Sequence, residues 1–475
     1  MKKLFAAFTL AALATACGGT TTTEDPNLFG GATKFPFECR SLEKRTGAEW
    51  DKRCGYDGVS QQSINDLAAT GVRIGTGAGS LAELAYGVPT TPGTVRFWGG
   101  MLDNANRKIY VGGTWSDARD STGNPDLKNF GVLLEVDINF AGSTVGNRRV
   151  ISGKYLTKQG DVDVGTGDTL HTVRSVKRFN NQFYVFTMDA GNPATVVRID
   201  PTTGNRSTVW TEKAVAFNTP GAFPADQCEN GQVQSNSSGQ RRSMQINGLG
   251  SPFEMNPITG EFYFSVIHAS NLGSPYGIIK ISSDGSTCSW VTRFKATGNN
   301  KYADNATTQA DPTYGLPTGV GSRGTGFSSM TLTSNNLFYR ESGGKKWLYA
   351  ASGSSYWRMD TQTGNRELVV QEEVGDTNTV WDSSRNVAWT SGTFGGTYIG
   401  PIFDFDTASP RVGGNVRCLG TANNVPCMKG PGYAGPMNRG ALMFDPLDGN
   451  LIFAHNQFGI VRYEVQTGNT YIVSL

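Results

Sequence analysis

The residues with the clearest chemical potential are three aspartates in the segment GDVDVGTGD, residues 160–168. Asp161, Asp163 and Asp168, with glycines between them, have the spacing of a shortened calcium-binding loop. Calcium takes about six to eight oxygen ligands and tolerates irregular geometry, so this segment predicts a Ca²⁺ site. No glutamate closes the segment as in a complete calcium loop. A solvated acidic loop is therefore the alternative interpretation.

Three arginines stand in similar positions, each just before or at the start of a predicted strand. They are Arg242 before SMQINGLG, Arg323 in RGTGFSSM and Arg439 in NRGALMF. Arginines that converge on one point attract anionic ligands, because the guanidinium group is always charged and donates several hydrogen bonds. The sequence thus predicts a small anionic ligand at these positions. The alternative is that each arginine pairs with an acidic residue of a neighbouring structural unit.

Nucleophilic catalysis has little support in the sequence. No GxSxG segment is present. Of the three histidines, His171 precedes a predicted first strand, whereas His268 and His455 end the second strands of two different repeats. This arrangement does not indicate a Ser–His–Asp triad. The sequence therefore favours a binding protein over an enzyme, although it leaves catalysis open.

Cysteine usage indicates an exported protein. The chain has seven cysteines, and an even number remains once Cys17 is set aside. Even numbers of cysteines in exported chains indicate disulfides, although six cysteines allow about fifteen connectivities. Sequence proximity favours the pairs Cys39–Cys54 and Cys418–Cys427, which leaves Cys228–Cys288. Zinc is the competing interpretation, but the chain has no CxxC pair and the histidines are not near cysteines.

The N-terminus has the features of a secretory signal. Two lysines precede an apolar stretch that is too short to span a membrane, and we predict a signal peptide over residues 1–16. The sequence Ala14-Thr15-Ala16-Cys17 resembles a bacterial lipobox, which implies a lipidated Cys17, a flexible tether over 17–27 and membrane attachment. Gly18, where an aspartate would favour the inner membrane, implies by the same resemblance an outer-membrane lipoprotein facing the periplasm or the outside. Ordinary cleavage with a free Cys17 is the alternative.

The composition is typical of many short strands joined by tight turns. Charged residues make up 17% of the chain, against about 25% in ordinary soluble proteins. Glycine accounts for 61 of 475 residues, and short Val/Ile/Tyr/Phe/Trp runs alternate with Gly, Asn, Asp and Pro. The formal net charge is only +2, with no basic stripe. Nucleic acid is therefore not an expected partner.

One hairpin phrase recurs along the chain. It reads VVRIDPTTGNRSTVW at 196–210, YWRMDTQTGNRELVV at 356–370 and IVRYEVQTGNTYIVS at 460–474, with fainter copies between. The glycine of each TGN turn supplies a positive φ that other residues reach only at a cost. The acidic residue four positions earlier can accept backbone N–H groups from the turn. The phrase is therefore predicted to be structural rather than catalytic.

A second hairpin precedes each copy, as in GGMLDNANRKIYVGG and ALMFDPLDGNLIFAHN, so that six four-stranded units follow one another. Such sheets cannot bury both faces alone, and radial stacking around an axis gives a β-propeller. Over residues 94–475 the repeat pattern resembles six-bladed propellers of the gluconolactonase-like, NHL-type and strictosidine-synthase-like group. The predicted fold is therefore all-β, a six-bladed β-propeller with a small N-terminal cap.

The repeats also set the predicted domain boundaries. Residues 28–93 fall outside them and, with Cys39 and Cys54, are expected to form a small disulfide-stapled extension. A seven- or eight-bladed ring is the alternative, with TGVRIGTGAG near residue 70 as the extra strand. The last blade has its own outer strand, TYIVSL, so ring closure is expected to rest on packing rather than on a shared blade.

The predicted insertions are concentrated on one face of the ring. They occur in two kinds of connection, those between second and third strands and those between blades. Both kinds emerge on the same side of an up-and-down propeller. We call this side the loop-rich face; its predicted insertions are residues 113–129, 153–170, 213–243, 296–323, 390–400 and 419–439. Long loops in compact domains are commonly functional, so a protein partner or a ligand is expected to bind there.

Two other functions stay open from the sequence. The resemblance to lactonase-like propellers, which hold a metal with Glu, Asn and Asp near the axis, implies a calcium-dependent hydrolase or lactonase as the main alternative. Its counterparts here would be Glu254, Asn256, Asp382 and Asp445, although Asn256 and Asp445 precede prolines and also fit turn chemistry. The second alternative is a structural scaffold in a cell-envelope or surface complex.

Overall fold

The structure, a computed structural model, describes most of the predicted repeats. The described residues are 95–115, 130–139, 146–157, 160–189, 192–211, 213–215, 231–234, 241–246, 253–268, 275–297, 301–303, 336–352, 355–372, 374–375, 378–392, 398–414, 416, 440–455, 459–468 and 470–474. The predicted signal peptide, tether and extension lie outside these ranges. Within these ranges the regular secondary structure consists of β-strands. No helix in the described residues is long and apolar enough to cross a membrane.

The strands form six antiparallel sheets, each with a four-stranded core, which we number as blades 1 to 6. Blade 1 comprises β1 (Val95–Asp103), β2 (Lys108–Trp115), β3 (Gly131–Asp137), β4 (Arg148–Thr157) and an added β5 (Gly160–Val164). Blade 2 comprises β6 (Val173–Phe179), β7 (Gln182–Asp189), β8 (Asn192–Ile199) and β9 (Arg206–Thr211). Blade 3 comprises β10 (Lys213–Val215), β11 (Gly231–Gln234), β12 (Arg241–Ile246), β13 (Phe253–Met255), β14 (Phe262–His268), β15 (Pro275–Ile281), β16 (Cys288–Thr297) and β17 (Lys301–Ala303).

The last three blades have four strands each. Blade 4 comprises β18 (Leu337–Ser342), β19 (Lys345–Ser352), β20 (Ser355–Asp360) and β21 (Arg366–Val370). Blade 5 comprises β22 (Asn378–Asp382), β23 (Val387–Gly392), β24 (Tyr398–Phe403) and β25 (Arg411–Val412). Blade 6 comprises β26 (Ala441–Asp445), β27 (Asn450–His455), β28 (Gly459–Tyr463) and β29 (Thr470–Ser474).

The first strands of the blades surround a central axis. Contacts run from β1 to β6, β13, β18, β22 and β26 in turn, and β26 contacts β1 again. Six blades therefore close the ring, which confirms the predicted all-β, six-bladed β-propeller. The segment TGVRIGTGAG, the candidate for an extra strand, lies outside the described residues.

The repeated TGN turns have the predicted structural role. In blade 2 the Gly204 amide donates to the Asp200 carbonyl oxygen (2.9 Å), and Gly204 has a φ of 73°. The Asp200 carboxylate accepts the amides of Thr202 (2.8 Å) and Thr203 (2.9 Å), and these hydrogen bonds lower the pKa of Asp200. The corresponding glycines of blades 4 and 6 also have positive φ values. The acidic residues of the phrase therefore stabilise turns.

Aromatic and aliphatic side chains fill the spaces between blades. Between blades 2 and 3, Phe186 stacks on Phe253 with ring centroids 6.1 Å apart, and Trp210 stacks on Phe264 at 5.0 Å. These residues belong to one of several buried clusters that each join two adjoining blades. Because burial of apolar area is the main driving force for folding, each blade depends on its neighbours for stability.

Buried arginines join the fourth strands of neighbouring blades. The three arginine–hydroxyl pairs are Arg148–Ser474 (2.7 Å), Arg206–Ser152 (3.1 Å) and Arg366–Thr292 (2.5 Å). In each pair the arginine is the first residue of a fourth strand, and the hydroxyl follows a bulge in the fourth strand of the preceding blade. Hydrogen bonds from a charged donor contribute about 1.5–3 kcal/mol each, so these pairs stabilise the ring.

Blade 6 meets blade 1 without a shared strand. Arg107, in the β1–β2 turn, donates to both carboxylate oxygens of Asp445, at 2.8 and 2.6 Å. The Asp445 side chain is fully buried, and the two residues are 338 positions apart in the chain. The ring is thus closed by packing, by this ion pair and by the Arg148–Ser474 hydrogen bond.

Blade 3 departs from the regular pattern. Its innermost strand is split into β12 and β13, which pair with successive parts of β14. On the axial side of β12 the sheet continues with β11 and β10. The predicted insertion 213–243 therefore contains β10, β11 and the start of β12, and its other residues lie outside the described ranges.

Candidate functional site

A cavity of about 430 Å³ lies on the propeller axis, and residues from all six innermost strands line it. Each innermost strand contributes at least one lining residue, as shown by Met101, Lys177, Met255, Tyr339, Trp381 and Met443. Small-molecule sites in proteins have volumes of about 300–1,000 Å³, so the cavity can hold one small ligand.

The cavity lies away from the loop-rich face. The opposite side of the ring carries the turns that join first to second and third to fourth strands, and we call it the short-turn face. Lining residues come from the C-terminal halves of β1, β6 and β13, from the middle of β22 and β26, and from the first half of β18. Pro257 from the β13–β14 turn also contributes. Because first strands end at the short-turn face, the cavity extends from the middle of the axial channel toward that face. The sequence did not point to this location.

The cavity wall combines polar and apolar surface in nearly equal parts, and its apolar part includes aromatic rings. Phe338, Trp381 and Phe444 line it and are only half-buried, so their ring surfaces are available to a ligand. The guanidinium group of Arg340 lies 3.9 Å from the centroid of a Trp381 ring. Arg340 is held in turn by an ion pair with Asp406 of blade 5. The Trp381 ring is therefore fixed in place before a ligand arrives.

The charged groups near the cavity are paired between blades. Lys177 Nζ lies 2.6 Å from Glu254 Oε1, and Arg178 Nη1 lies 2.8 Å from Asp103 Oδ2. Burial acts to raise the pKa of Asp103, but hydrogen bonds from Asn106 and the charge of Arg178 hold the pKa below its ordinary value. The two pairs neutralise the charges that these side chains bring to the axis.

Glu254 and Asn256, two of the residues implied by the lactonase resemblance, are engaged in structural contacts. Glu254 pairs with Lys177, as described above. The Asn256 Oδ1 atom accepts the Ile258 amide (2.9 Å), and its Nδ2 donates to the Tyr339 hydroxyl (3.0 Å). Asn256 therefore stabilises the β13–β14 turn and joins blade 3 to blade 4.

Asp382 and Asp445, the other two, are fully buried and also have protein partners. Asp382 accepts from Ser384 in its own turn and pairs with Arg385 at 2.7 Å. Asp445 pairs with Arg107 across the blade 6–blade 1 boundary. Within the described ranges, no three His, Cys, Asp or Glu side chains are grouped so that they could hold a metal ion.

Tyr339 connects this turn network to the cavity. Its hydroxyl accepts from Asn256 and donates to Glu341 Oε1 (2.8 Å), and its ring stacks on Tyr263 at a centroid distance of 6.0 Å. Burial and the hydrogen bond to Glu341 raise the pKa of Tyr339 far above its ordinary value. Tyr339 thus keeps its proton and acts as a fixed neutral wall of the cavity.

The candidate calcium segment forms the outer edge of blade 1 and continues into the link to blade 2. Asp161 and Asp163 belong to β5, and Asp168 follows it. Asp163 Oδ1 lies 3.2 Å from Arg206 Nη2, and Asp168 Oδ2 accepts the Thr208 amide at 2.7 Å. Asp163 and Asp168 therefore bind protein donors from blade 2, and calcium binding stays a prediction.

The other predicted site residues are only partly described. Arg242 belongs to β12, whereas Arg323 and Arg439 lie outside the described residues. Anion binding by the three arginines therefore stays a prediction. Cys288 begins β16 and is disulfide-bonded, and its partner lies outside the described ranges. Lipidation of Cys17 and the identity of each disulfide pair also stay predictions.

The arginine–hydroxyl pairs have a recurring sequence signal that the sequence analysis did not identify. The triplet Gly-Asn-Arg occurs at 146–148, 204–206 and 364–366, and each arginine of these triplets makes one of the pairs. In blades 1, 2 and 4 the fourth strand begins with arginine, whereas in blade 3 it begins with Cys288 and in blade 6 with Thr470. The cavity had no comparable signal, because its residues occupy ordinary strand positions.

Comparison with known proteins adds no conclusion about this chain. The chain is a six-bladed β-propeller by its own six sheets. No protein-family model matches it, and no curated protein matches it in sequence.

Solved structures match the chain only at low identity and low TM-score. One is a nidogen/laminin complex, with 8% identity over 66% of this chain and 78% of that chain, at a TM-score of 0.34. A Bacteroides thetaiotaomicron protein of unknown function has 11% identity over 82% and 74% of the two chains, at 0.36. A Bacteroides uniformis protein named as a "putative 6-phosphogluconolactonase" has 11% identity over 77% and 80%, at 0.35. These likenesses carry no conclusion about activity.

Proposed function

We propose that this chain is an envelope-anchored binding protein whose propeller recognises a partner or ligand through its loop-rich face. The distribution of connection lengths carries the proposal. Turns on the short-turn face are brief, whereas the long connections 304–336 and 413–440 join one blade to the next, and residues 216–230 join β10 to β11 within blade 3. A rigid ring that concentrates its variable segments on one side is the usual arrangement of a recognition scaffold.

The contacts of the axial acidic and amide residues favour binding over hydrolysis. A calcium-dependent lactonase would need several of these oxygens directed at one metal ion. Glu254, Asp382 and Asp445 each form an ion pair with a different cation of the protein. The Glu254 and Asp445 pairs join neighbouring blades, and the Asp382 pair stabilises a turn of blade 5, so a metal ion would have to replace these structural contacts.

Shortening the segment between β10 and β11, within the predicted insertion 213–243, tests the proposal. A variant that lacks residues 217–226 keeps Cys228 and the strands β10, β11 and β12. It should lose the proteins or ligands that the wild type captures from an envelope extract, while its melting temperature stays within a few degrees of the wild-type value. Captured material that is unchanged after the deletion would contradict recognition by this part of the loop-rich face.

The control for this experiment is Gly364→Val on the short-turn face. Gly364 has a φ of 76°, a conformation that a β-branched residue adopts only with strain. This variant should melt at a lower temperature and still capture its partner in the cold. The pair of variants thus separates loss of recognition from loss of folding.

Membrane attachment is tested at Cys17. A Cys17→Ser variant should incorporate no labelled fatty acid and should appear in the soluble or unprocessed fraction, because the thiol is the acceptor that the lipobox resemblance implies. The wild type should carry the label and sediment with membranes. Equal labelling of the two forms would exclude lipidation at this position.

A further inference from the structure

We propose that the axial cavity is a second binding site, separate from the loop-rich face, and that it takes a small uncharged aromatic molecule with one hydrogen-bond acceptor. The cavity is the space of about 430 Å³ that extends from the middle of the axial channel toward the short-turn face. Its wall is built from the innermost strands of all six blades, so its shape is fixed by the ring and does not depend on the long inter-blade connections.

The aromatic character of the ligand follows from the wall. Met101, Met255 and Met443 come from three different blades and line the same space, together with Phe444 and Trp381. Thioether groups contact aromatic rings favourably at their edges, and methionine adapts to irregular ligand shapes. Aromatic side chains add offset or edge-on ring contacts. This combination favours a flat aromatic body over a sugar or a highly hydrated anion.

The absence of a net charge on the ligand follows from the ion pairs. The cations that reach the cavity, Lys177 and Arg178, are already paired with Glu254 and Asp103. A charged ligand would have to compete with these contacts and would be desolvated without gaining a new counter-ion. An uncharged ligand leaves both pairs intact.

The acceptor on the ligand follows from Thr379, which lines the cavity. Its Oγ1 atom accepts hydrogen bonds from Asn336 Nδ2 (2.6 Å) and from the Tyr356 hydroxyl (3.0 Å). Both lone pairs of the threonine oxygen are thereby used, and the remaining capacity of the group is its own O–H. A carbonyl or ether oxygen on the ligand is the complementary group.

Benzophenone has this chemistry, since it is an uncharged diaryl ketone with one acceptor oxygen, and it is photoreactive. Irradiation of the full mature protein with benzophenone should label peptides that contain Met101, Met255 or Met443, because the excited ketone inserts preferentially beside thioethers. Unlabelled N-phenyl-1-naphthylamine, a neutral fluorescent aromatic amine, should suppress the labelling. Labelling spread over unrelated surface peptides, or none at these three, would overturn the proposal.

Substitutions locate the same site by fluorescence titration. Val380→Trp fills the cavity and should weaken N-phenyl-1-naphthylamine binding about tenfold or more. The control is the double variant Ile258→Ser, Leu447→Ser, which removes the apolar tips of two short turns that are 68% and 70% exposed. The control should bind like wild type. If the control loses binding and Val380→Trp keeps it, the probe binds the turn tips and the cavity proposal is wrong.

The charge of the ligand is tested with the sulfonated analogue 8-anilino-1-naphthalenesulfonate. It should bind at least about tenfold more weakly than the neutral amine, because no cation of the cavity lacks a counter-ion. Tighter binding of the sulfonate would overturn the uncharged-ligand assignment. Failure of both probes on wild-type protein would show that the space is filled by another segment of the chain, which also overturns the proposal. Neither result depends on partner capture at the loop-rich face.

Discussion

Replacing Asp445 by alanine should lower the free energy of unfolding by about 3–5 kcal/mol, the size found when one member of a buried ion pair is removed. The Asp445 side chain is fully buried and accepts from Arg107 through both oxygens, and it also accepts the Leu447 amide in its own turn. The substitution leaves the Arg107 guanidinium without its counter-charge at the boundary where the ring closes. Equilibrium denaturation measures the loss.

The matched control is Glu367→Ala, which removes a surface partner of Arg358. In that pair the side chains are 46% and 30% exposed, so the expected loss is within about 1 kcal/mol. A double-mutant cycle of Asp445→Ala with Arg107→Met isolates the coupling between these two residues. Similar losses for the Asp445 and Glu367 variants would show that ring closure does not depend on the buried pair.

Replacing Arg206 by methionine should have an effect of the same order, about 3–5 kcal/mol, because four acceptors lose their charged donor at once and each such hydrogen bond contributes about 1.5–3 kcal/mol where it is shielded from water. The Arg206 side chain is 4% exposed. Its guanidinium donates to the carbonyl oxygens of Asp168 and Val164, both at 2.7 Å, to Ser152 Oγ at 3.1 Å and to Asp163 at 3.2 Å. Methionine preserves much of the volume but donates no hydrogen bond.

Arg198→Met on the neighbouring strand β8 is the control for this variant, since Arg198 is exposed. It should unfold like the wild type. Hydrogen exchange should also increase in β4 and β9 of the Arg206 variant while blades 4 and 5 stay protected, because repeat architectures open locally at a weakened boundary. Uniform exchange in all blades would show that Arg206 acts on global stability and not on the blade 1–blade 2 contact.

The Asp445 and Arg206 experiments bear on function because the contacts of Arg107 and Arg206 hold the ring in a fixed geometry. A rigid ring keeps the loop-rich face and the axial cavity as separate surfaces of the molecule. Among the described residues, Asp382 and Asp445 are each engaged in an ion pair with an arginine. The proposed binding at two surfaces depends on this fixed geometry.

Much of the fold could be predicted because its signals are local. Asp200 and Gly204 are four residues apart, and they specify a turn through hydrogen bonds within that span. The alternation of apolar residues specifies each strand over a few positions. Repetition of both signals then gave the blade count. The split first strand of blade 3 was missed, because β12 and β13 are separated by a segment that reads as loop.

The site could be predicted much less well. Glu254 and Asp445 are acidic residues at the ends of first strands, and their sequence context suits a metal ligand or a turn equally. Only the ring brings Lys177 to Glu254 and Arg107 to Asp445, at distances of 2.6 Å in both cases. The methionines of the axial cavity had no pattern of their own.

The amino-acid sequence by itself determined the hairpins, the turns, the order of the blades and the expected export signal. These features depend on interactions among residues a few positions apart, where spacing is sufficient to define geometry. The tertiary structure alone decided which charges are neutralised, which boundary closes the ring and where the cavity lies. Those outcomes depend on residues that are hundreds of positions apart, such as Arg107 and Asp445, whose proximity follows from closing six blades into a circle.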